Sequence, residues 1–155
     1  MESRSVIGTV LSARYRLESK LGSGGMSTVY LATDETLELR ARVRAFMEEH
    51  VYPNEAVLDR EDEEAEALVQ RLRAVAKEAA LWAPHLPPEA GGSNGSFLTY
   101  AHLNEEIGRS LWGQLVLGCQ APDAGNSEIL WQFGTEEQKE RWLRPLVAGD
   151  VRSFF

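Results

Sequence analysis

"FGTEEQKERWLRPLVAGD", residues 133–150, is the stretch whose reading decides the fold class. Thr135 stands three positions before Gln138, the pattern in which two side chains reciprocally satisfy free amides at a helix start. Trp142, Leu146 and Val147 follow at helical spacing and predict one apolar face. Gly134 suits the stop of a preceding helix, and Pro145 predicts a bend or a shortening of this last one.

Upstream, the same logic repeats. Ser127 is expected to cap a helix over "EILWQF", which ends at Gly134. Pro122 marks a break before it. "LWGQLVLGCQA", residues 111–121, reads as a buried helix. "FLTYAHLNEEIGRSL", residues 97–111, reads as a helix with Ser96 as N-cap and a break near Gly108. The Pro- and Gly-dense "APHLPPEAGGSNGS", residues 83–96, must be a loop. Ala65, Leu68, Leu72, Val75 and Ala79 form one apolar stripe. The acidic run "DREDEEAE" at that helix's start complements the positive end of its dipole. Leu39, Val43 and Phe46 predict a first helix ending near Pro53. The expected fold is therefore mainly α, with five or six packed helices.

Residues 1–36 are of another kind. "RYRLESKL" and "STVYLA" flank "GSGGM", which predicts a short β-hairpin-like segment ahead of the helices. Residues 21–32, "LGSGGMSTVYLA", resemble the Gly-rich loop of bacterial serine/threonine protein kinases, with Ser27 in place of the third glycine. Gly22 and Gly24 would let backbone amides approach phosphates, and Val29 would pack on a base. Arg44 stands where the family's phosphate-holding lysine belongs, within a segment of helical period. A planar guanidinium does not replace a compact ammonium, and neither an H-R-D loop nor a D-F-G follows. An ATP-dependent protein kinase is not expected, and the glycine-rich stretch marks a junction near Leu37.

Composition narrows the function classes. The chain has 155 residues, 43% of them hydrophobic and 26% charged, with a formal net charge of −8. Such an acidic protein is a poor partner for nucleic acid or anionic membranes, which are polyanions themselves. No run approaches the roughly 18 apolar residues that a membrane span needs, and the N-terminus lacks a signal-peptide core. A cytoplasmic location is the default expectation. The single cysteine, Cys119, excludes an intrachain disulfide.

"RVRAFMEEHVYPNE", "LWAPHLPPEAGG", "LNEEIGRS", "GCQAPDAGNSEIL" and "FGTEEQKERWLRPLVAGDVRSFF" occur in that order, and together residues 39–155 resemble the N-terminal helical domain of acyl-CoA dehydrogenases. The resemblance implies a helical bundle over residues 37–155, preceded by the kinase-like fragment 1–36 and cut before a flavin-binding β domain. It implies FAD as cofactor and an acyl-CoA thioester as substrate. A glutamate base takes the α-proton while flavin N5 accepts the β-hydride, and an electron-transfer flavoprotein receives the electrons. The flavin contacts and base belong mostly to the family's other two domains, so this chain carries no catalytic residue of its own. By carry-over, Phe155 is the candidate beside the flavin, and Leu115, Gly118, Cys119 and Gln120 would line the acyl tail. Homo-oligomerisation is also implied. The chain on its own is expected not to catalyse dehydrogenation. The alternatives are a non-enzymatic helical interaction module, or a truncated or mis-joined gene product.

Other chemistry-bearing residues are weaker candidates. His102, Glu105 and Glu106 share a helical face but supply too few ligands for a metal site. His50 and His85 have no acid or nucleophile at useful spacing, and Ser153 lacks the surroundings of a nucleophile elbow. Cys119 reads as inert filler in an apolar run. Trp82, Trp112, Trp131 and Trp142 read as packing residues.

Overall fold

The computed structural model describes residues 6–12, 14–60, 62–94 and 96–154. The chain divides into two compact units, residues 1–42 and 43–155.

In the first unit, strands β1 (Val10–Leu11), β2 (Tyr15–Ser23) and β3 (Thr28–Asp34) form an antiparallel sheet in the order β1-β2-β3. The glycine-rich turn closes with Gly24 N donating to Ser27 O at 2.8 Å, beneath a Ser23–Thr28 hydroxyl pair at 3.2 Å. The register between β2 and β3 slips twice, between Leu17 and Ser19 and again between Lys20 and Gly22. Such slips bend a strand and aim its side chains anew. Asp34 ends β3 and caps helix α1 (Glu35–Phe46) by accepting from the amides of Thr36 and Leu37. The same carboxylate takes a two-pronged bond from Arg14, which holds it below the usual carboxylate range.

The second unit is helical, as the sequence predicts. After Phe46 the chain widens into a π-helical turn, Met47–Val51, and tightens into a 3-10 turn, Tyr52–Asn54. Short helix α2 (Glu55–Leu58) follows. Pro53 therefore does not end the helical path, because it occupies the first turn of a new segment, where its missing N–H costs nothing. Helix α3 (Glu63–Glu78) is capped by Asp62, whose carboxylate accepts from Ala65 N at 3.0 Å. Its buried side is Ala65, Leu68, Val69, Leu72, Arg73 and Ala76. The described residues of 83–94 form the expected loop, with a 3-10 turn at Pro88–Ala90. Helix α4 (Phe97–Ile107) starts at the predicted Ser96 cap, which accepts from Thr99 N at 3.2 Å.

Three local expectations change. The stretch 111–121 holds one helical turn, α5 (Gly113–Val116), instead of a full buried helix. Its first residue, Leu111, is exposed, while Val116 and Leu117 are fully buried. The helix stops because Gly118 adopts a left-handed φ of +67° directly beneath the Trp82 ring. Second, helix α6 (Asp123–Phe133) starts four residues before Ser127. Ser127 is buried inside it, and its hydroxyl donates to the Ala124 carbonyl. Third, the expected Thr135–Gln138 capping box forms in both halves at helix α7 (Glu136–Gln138), but the apolar face behind it shifts. A π-helical turn, Lys139–Leu143, then precedes helix α8 (Arg144–Ala148). Its extra residue rotates the face, so Leu143 joins Leu146 and Val147 inside while Trp142 is 47% exposed.

The core includes Val43, Met47, Val51, Leu58, Leu72, Leu81, Leu86, Leu103, Ile107, Val116 and Leu117. Each such side chain contributes about 1.5–3 kcal/mol by leaving water. The Glu106 carboxylate lies inside it: the residue is 0% exposed and accepts from Arg44 Nη2 at 2.6 Å and Nε at 3.2 Å, with Arg109 at 3.3 Å. Arg44 is thus a structural ion-pair partner on α1, and Glu106 points inward.

Candidate functional site

The segment after α5 carries the four residues expected to line an acyl tail, and the fold gives each a different neighbour. Leu115 sits on the wall of a cavity of about 460 Å³, and its carbonyl accepts from Arg73 Nε at 3.2 Å. Gly118 lies so close to Trp82 that a Cβ would fall 2.5–2.7 Å from three of its ring carbons. Cys119 is buried, and burial pushes its thiol up to about 12, so it stays protonated and unreactive at neutral pH. Gln120 donates from Nε2 to Asp123 at 2.6 Å. Phe155 lies outside the described residues.

Asp123 organises the end of this segment. Its carboxylate accepts from Gln120, from the amide and hydroxyl of Ser153 at 2.8 Å each, and from Arg152. Burial raises its pKa, but the bonds from Ser153 and Arg152 outweigh burial and hold it below the ordinary value. Asn126 adds a bond to the Ser153 hydroxyl at 2.9 Å. Residues 152 and 153 are thereby tied to the first turns of α6. Ser153 is an anchor for the chain.

His85 and Ser127, 42 positions apart, meet at 2.9 Å. Because the Ser127 hydroxyl already donates to Ala124 O, the bond is satisfied when His85 carries its proton on Nε2. That leaves Nδ1 buried and without a hydrogen-bond partner among the described residues. Burial lowers the imidazole pKa to about 4, so the ring is neutral under ordinary conditions. Among the described residues no carboxylate orients it, and Ser127 is held by its own helix, so the pair lacks the arrangement of a catalytic dyad. The sequence held no sign of this pairing.

A second, larger groove of about 890 Å³ runs between the Pro88–Ser93 loop and the last turns. Its cations are already engaged. Lys139 pairs with Glu136, Arg144 pairs with Glu140, and Lys77 donates to Ala148 O while lying over Trp82. Among the described residues no group of three His, Cys, Asp or Glu could hold a metal ion. Among the described residues no helix is long and apolar enough to cross a membrane.

The family model of the acyl-CoA dehydrogenase N-terminal domain matches residues 33–150, and the chain belongs to that family. It is 42% identical over 120 residues to acyl-CoA dehydrogenase family member 10 of Mus musculus, covering 71% of this chain and 11% of that protein. It is 40% identical over 129 residues to the Mycobacterium tuberculosis protein assigned as acyl-CoA dehydrogenase FadE2, covering 78% and 31%. A solved Mycobacterium abscessus structure assigned to the same enzymes superimposes with a TM-score of 0.67 at 41% identity, covering 76% of this chain and 32% of that one. The chain thus spans between about a tenth and a third of the length of these relatives.

Proposed function

We propose that this chain supplies the N-terminal helical wall of an FAD-dependent acyl-CoA dehydrogenase that oxidises acyl-CoA thioesters at the α,β bond. The observation that carries this reading is the family match across residues 33–150. Within it, Leu115, Gly118, Cys119 and Gln120 are the residues proposed to face the acyl tail. An uncharged stretch suits a methylene chain, and the buried Cys119 and the close-packed Gly118 give that wall a fixed shape. The flavin contacts and the glutamate base belong, on the family's division of labour, to other domains. The 155 residues by themselves are therefore inactive in this reading. The electron-transfer flavoprotein partner, a homo-oligomeric state and a cytoplasmic location belong to the same proposal.

A non-enzymatic interaction module is the second reading. Phe97, Leu111, Phe133 and Phe154 are each more than three-quarters exposed, and large apolar side chains so placed suit a protein partner.

Two measurements test the proposal. The purified chain is titrated with FAD and its visible spectrum recorded; no stoichiometric flavin is expected, and a bound yellow species would overturn the inactivity claim. The chain is then joined to the flavin and base domains of the Mycobacterium tuberculosis relative, and Cys119→Trp is introduced. The enlarged side chain should lower kcat/KM for long acyl-CoAs more than for short ones. A uniform effect across chain lengths would remove these residues from the acyl wall.

A further inference from the structure

The 460 Å³ cavity holds a feature that the acyl-wall reading does not use. It lies between α3, the α5 turn and residues 149–152, and its inner wall is apolar, made by Leu58, Ala65, Val69 and Leu115. Arg73 sits among them at 7% exposure. Its Nε bonds Leu115 O and its guanidinium stands 5.8 Å from the Trp82 ring centre. Among the described residues no carboxylate hydrogen-bonds it, although the Asp123 charge acts on it through space, and its Nη1 and Nη2 donors, on a residue that lines the cavity, make no hydrogen bond.

A largely buried guanidinium whose terminal donors bond no protein group gains when an anion accepts from them. Burial, then the nearby charge of Arg152, lowers its pKa against the opposing charge of Asp123, so the cation is held in a setting that a further anion would improve. Arg152 adds a second cation to the same wall, fixed by Asp123. The volume falls within the range of roughly 300–1,000 Å³ usual for small-molecule sites.

The polar rim limits what enters. Glu66 and Asp150 flank the opening beside Gln70. Two carboxylates at the mouth disfavour a phosphate dianion more than a singly charged group. A planar carboxylate also matches the open edge of a guanidinium in two-pronged fashion. We infer that this cavity binds a small monocarboxylate with an apolar body, its carboxylate on Arg73 and its body against Leu58, Val69 and Leu115.

The site does not depend on flavin or thioester, so its test is separate from that of the dehydrogenase reading. Hexanoate, hexanol and hexylammonium are titrated against the 155-residue chain at constant ionic strength, with binding followed by calorimetry and by chemical-shift change at Arg73 Nε. Hexanoate should saturate one site with a Kd of about 1 mM or tighter, at least about tenfold tighter than hexanol, with hexylammonium weaker still. Arg73→Gln should lose that preference, and Gln70→Glu, on the exposed rim, should weaken hexanoate while leaving hexanol unchanged. Where Arg73→Gln does not fold, the hexanoate-to-hexanol ratio and Gln70→Glu decide the matter. Equal binding of hexanoate and hexanol, indifference to both substitutions, or displacement of hexanoate by inorganic phosphate at equal concentration would each overturn the assignment.

Discussion

Gly118→Ala tests whether the turn after α5 is held by the Trp82 ring. Two costs follow from its geometry. Gly118 has φ +67°, and an L-residue in the left-handed region loses about 1–2 kcal/mol. The new Cβ would also lie 2.5–2.7 Å from Trp82 Cη2, Cζ2 and Cζ3. The ring must retreat by about 1 Å to restore ordinary contact. It cannot do so freely, since Trp82 Nε1 donates to Val147 O at 2.7 Å and Lys77 lies 4.7 Å over its face. Overpacking of this kind costs about 1–3 kcal/mol, so the total is about 2–5 kcal/mol. Gly149 is the internal control. It has φ +82° near the same ring, but its Cβ would lie 3.4 Å away, in ordinary contact. Gly149→Ala should therefore cost only the backbone part, about 1–2 kcal/mol. Urea unfolding followed by tryptophan fluorescence measures both. Equal midpoints for the two variants would refute the steric part, and a Gly118→Ala midpoint within error of the parent would refute the whole account.

Three further outcomes are expected. The folded-state pKa of His85, near 4, lies below its unfolded value of about 6.5. The unfolded chain therefore binds the proton first, and up to about 3 kcal/mol of stability is lost as pH falls from 6.5 to 4; an NMR titration showing His85 already protonated at pH 5.5 would contradict this. Arg44→Met should lower the urea midpoint more than Arg109→Met, because Arg44 makes two bonds to the buried Glu106 carboxylate and Arg109 approaches only at 3.3 Å; the reverse order would show that Arg109 is the main counter-charge. Ser96→Ala should cost about 1 kcal/mol through loss of the α4 cap, and Ser96→Asp should recover most of it; denaturation midpoints decide, and an Asp variant as weak as Ala would argue against capping.

The helices were legible because their signals are local. Ser96 and the Thr135–Gln138 pair act over three residues, and the stripe through Ala65, Leu68 and Leu72 repeats at one helical period. The Pro- and Gly-rich loop between α3 and α4 likewise follows from backbone restrictions of the residues themselves. The misplaced cap shows the limit. Ser127 has the right side chain, but the helix starts at Asp123, whose partners Arg152 and Ser153 come from 29 and 30 positions away. Arg73 carried one sign in the sequence: it falls at the position after Ala65 and Val69 in four-residue steps, on the buried side of α3.

The sequence by itself determined that the chain is mainly α, where its loops fall, and the order of motifs that places it among acyl-CoA dehydrogenases. Periodicity and capping are encoded within a few residues, so they survive without a tertiary frame. Only the tertiary structure decided which charges enter the core and what they meet. Arg44 reaches Glu106 across 62 positions, and Arg73 and His85 each find their partners across 42. The phase of the final turns was decided the same way, because a single extra residue in the π-helical turn at Lys139–Leu143 exchanges Trp142 for Leu143 in the interior. Burial depends on what the rest of the chain brings to a position, and no short-range pattern carries that information.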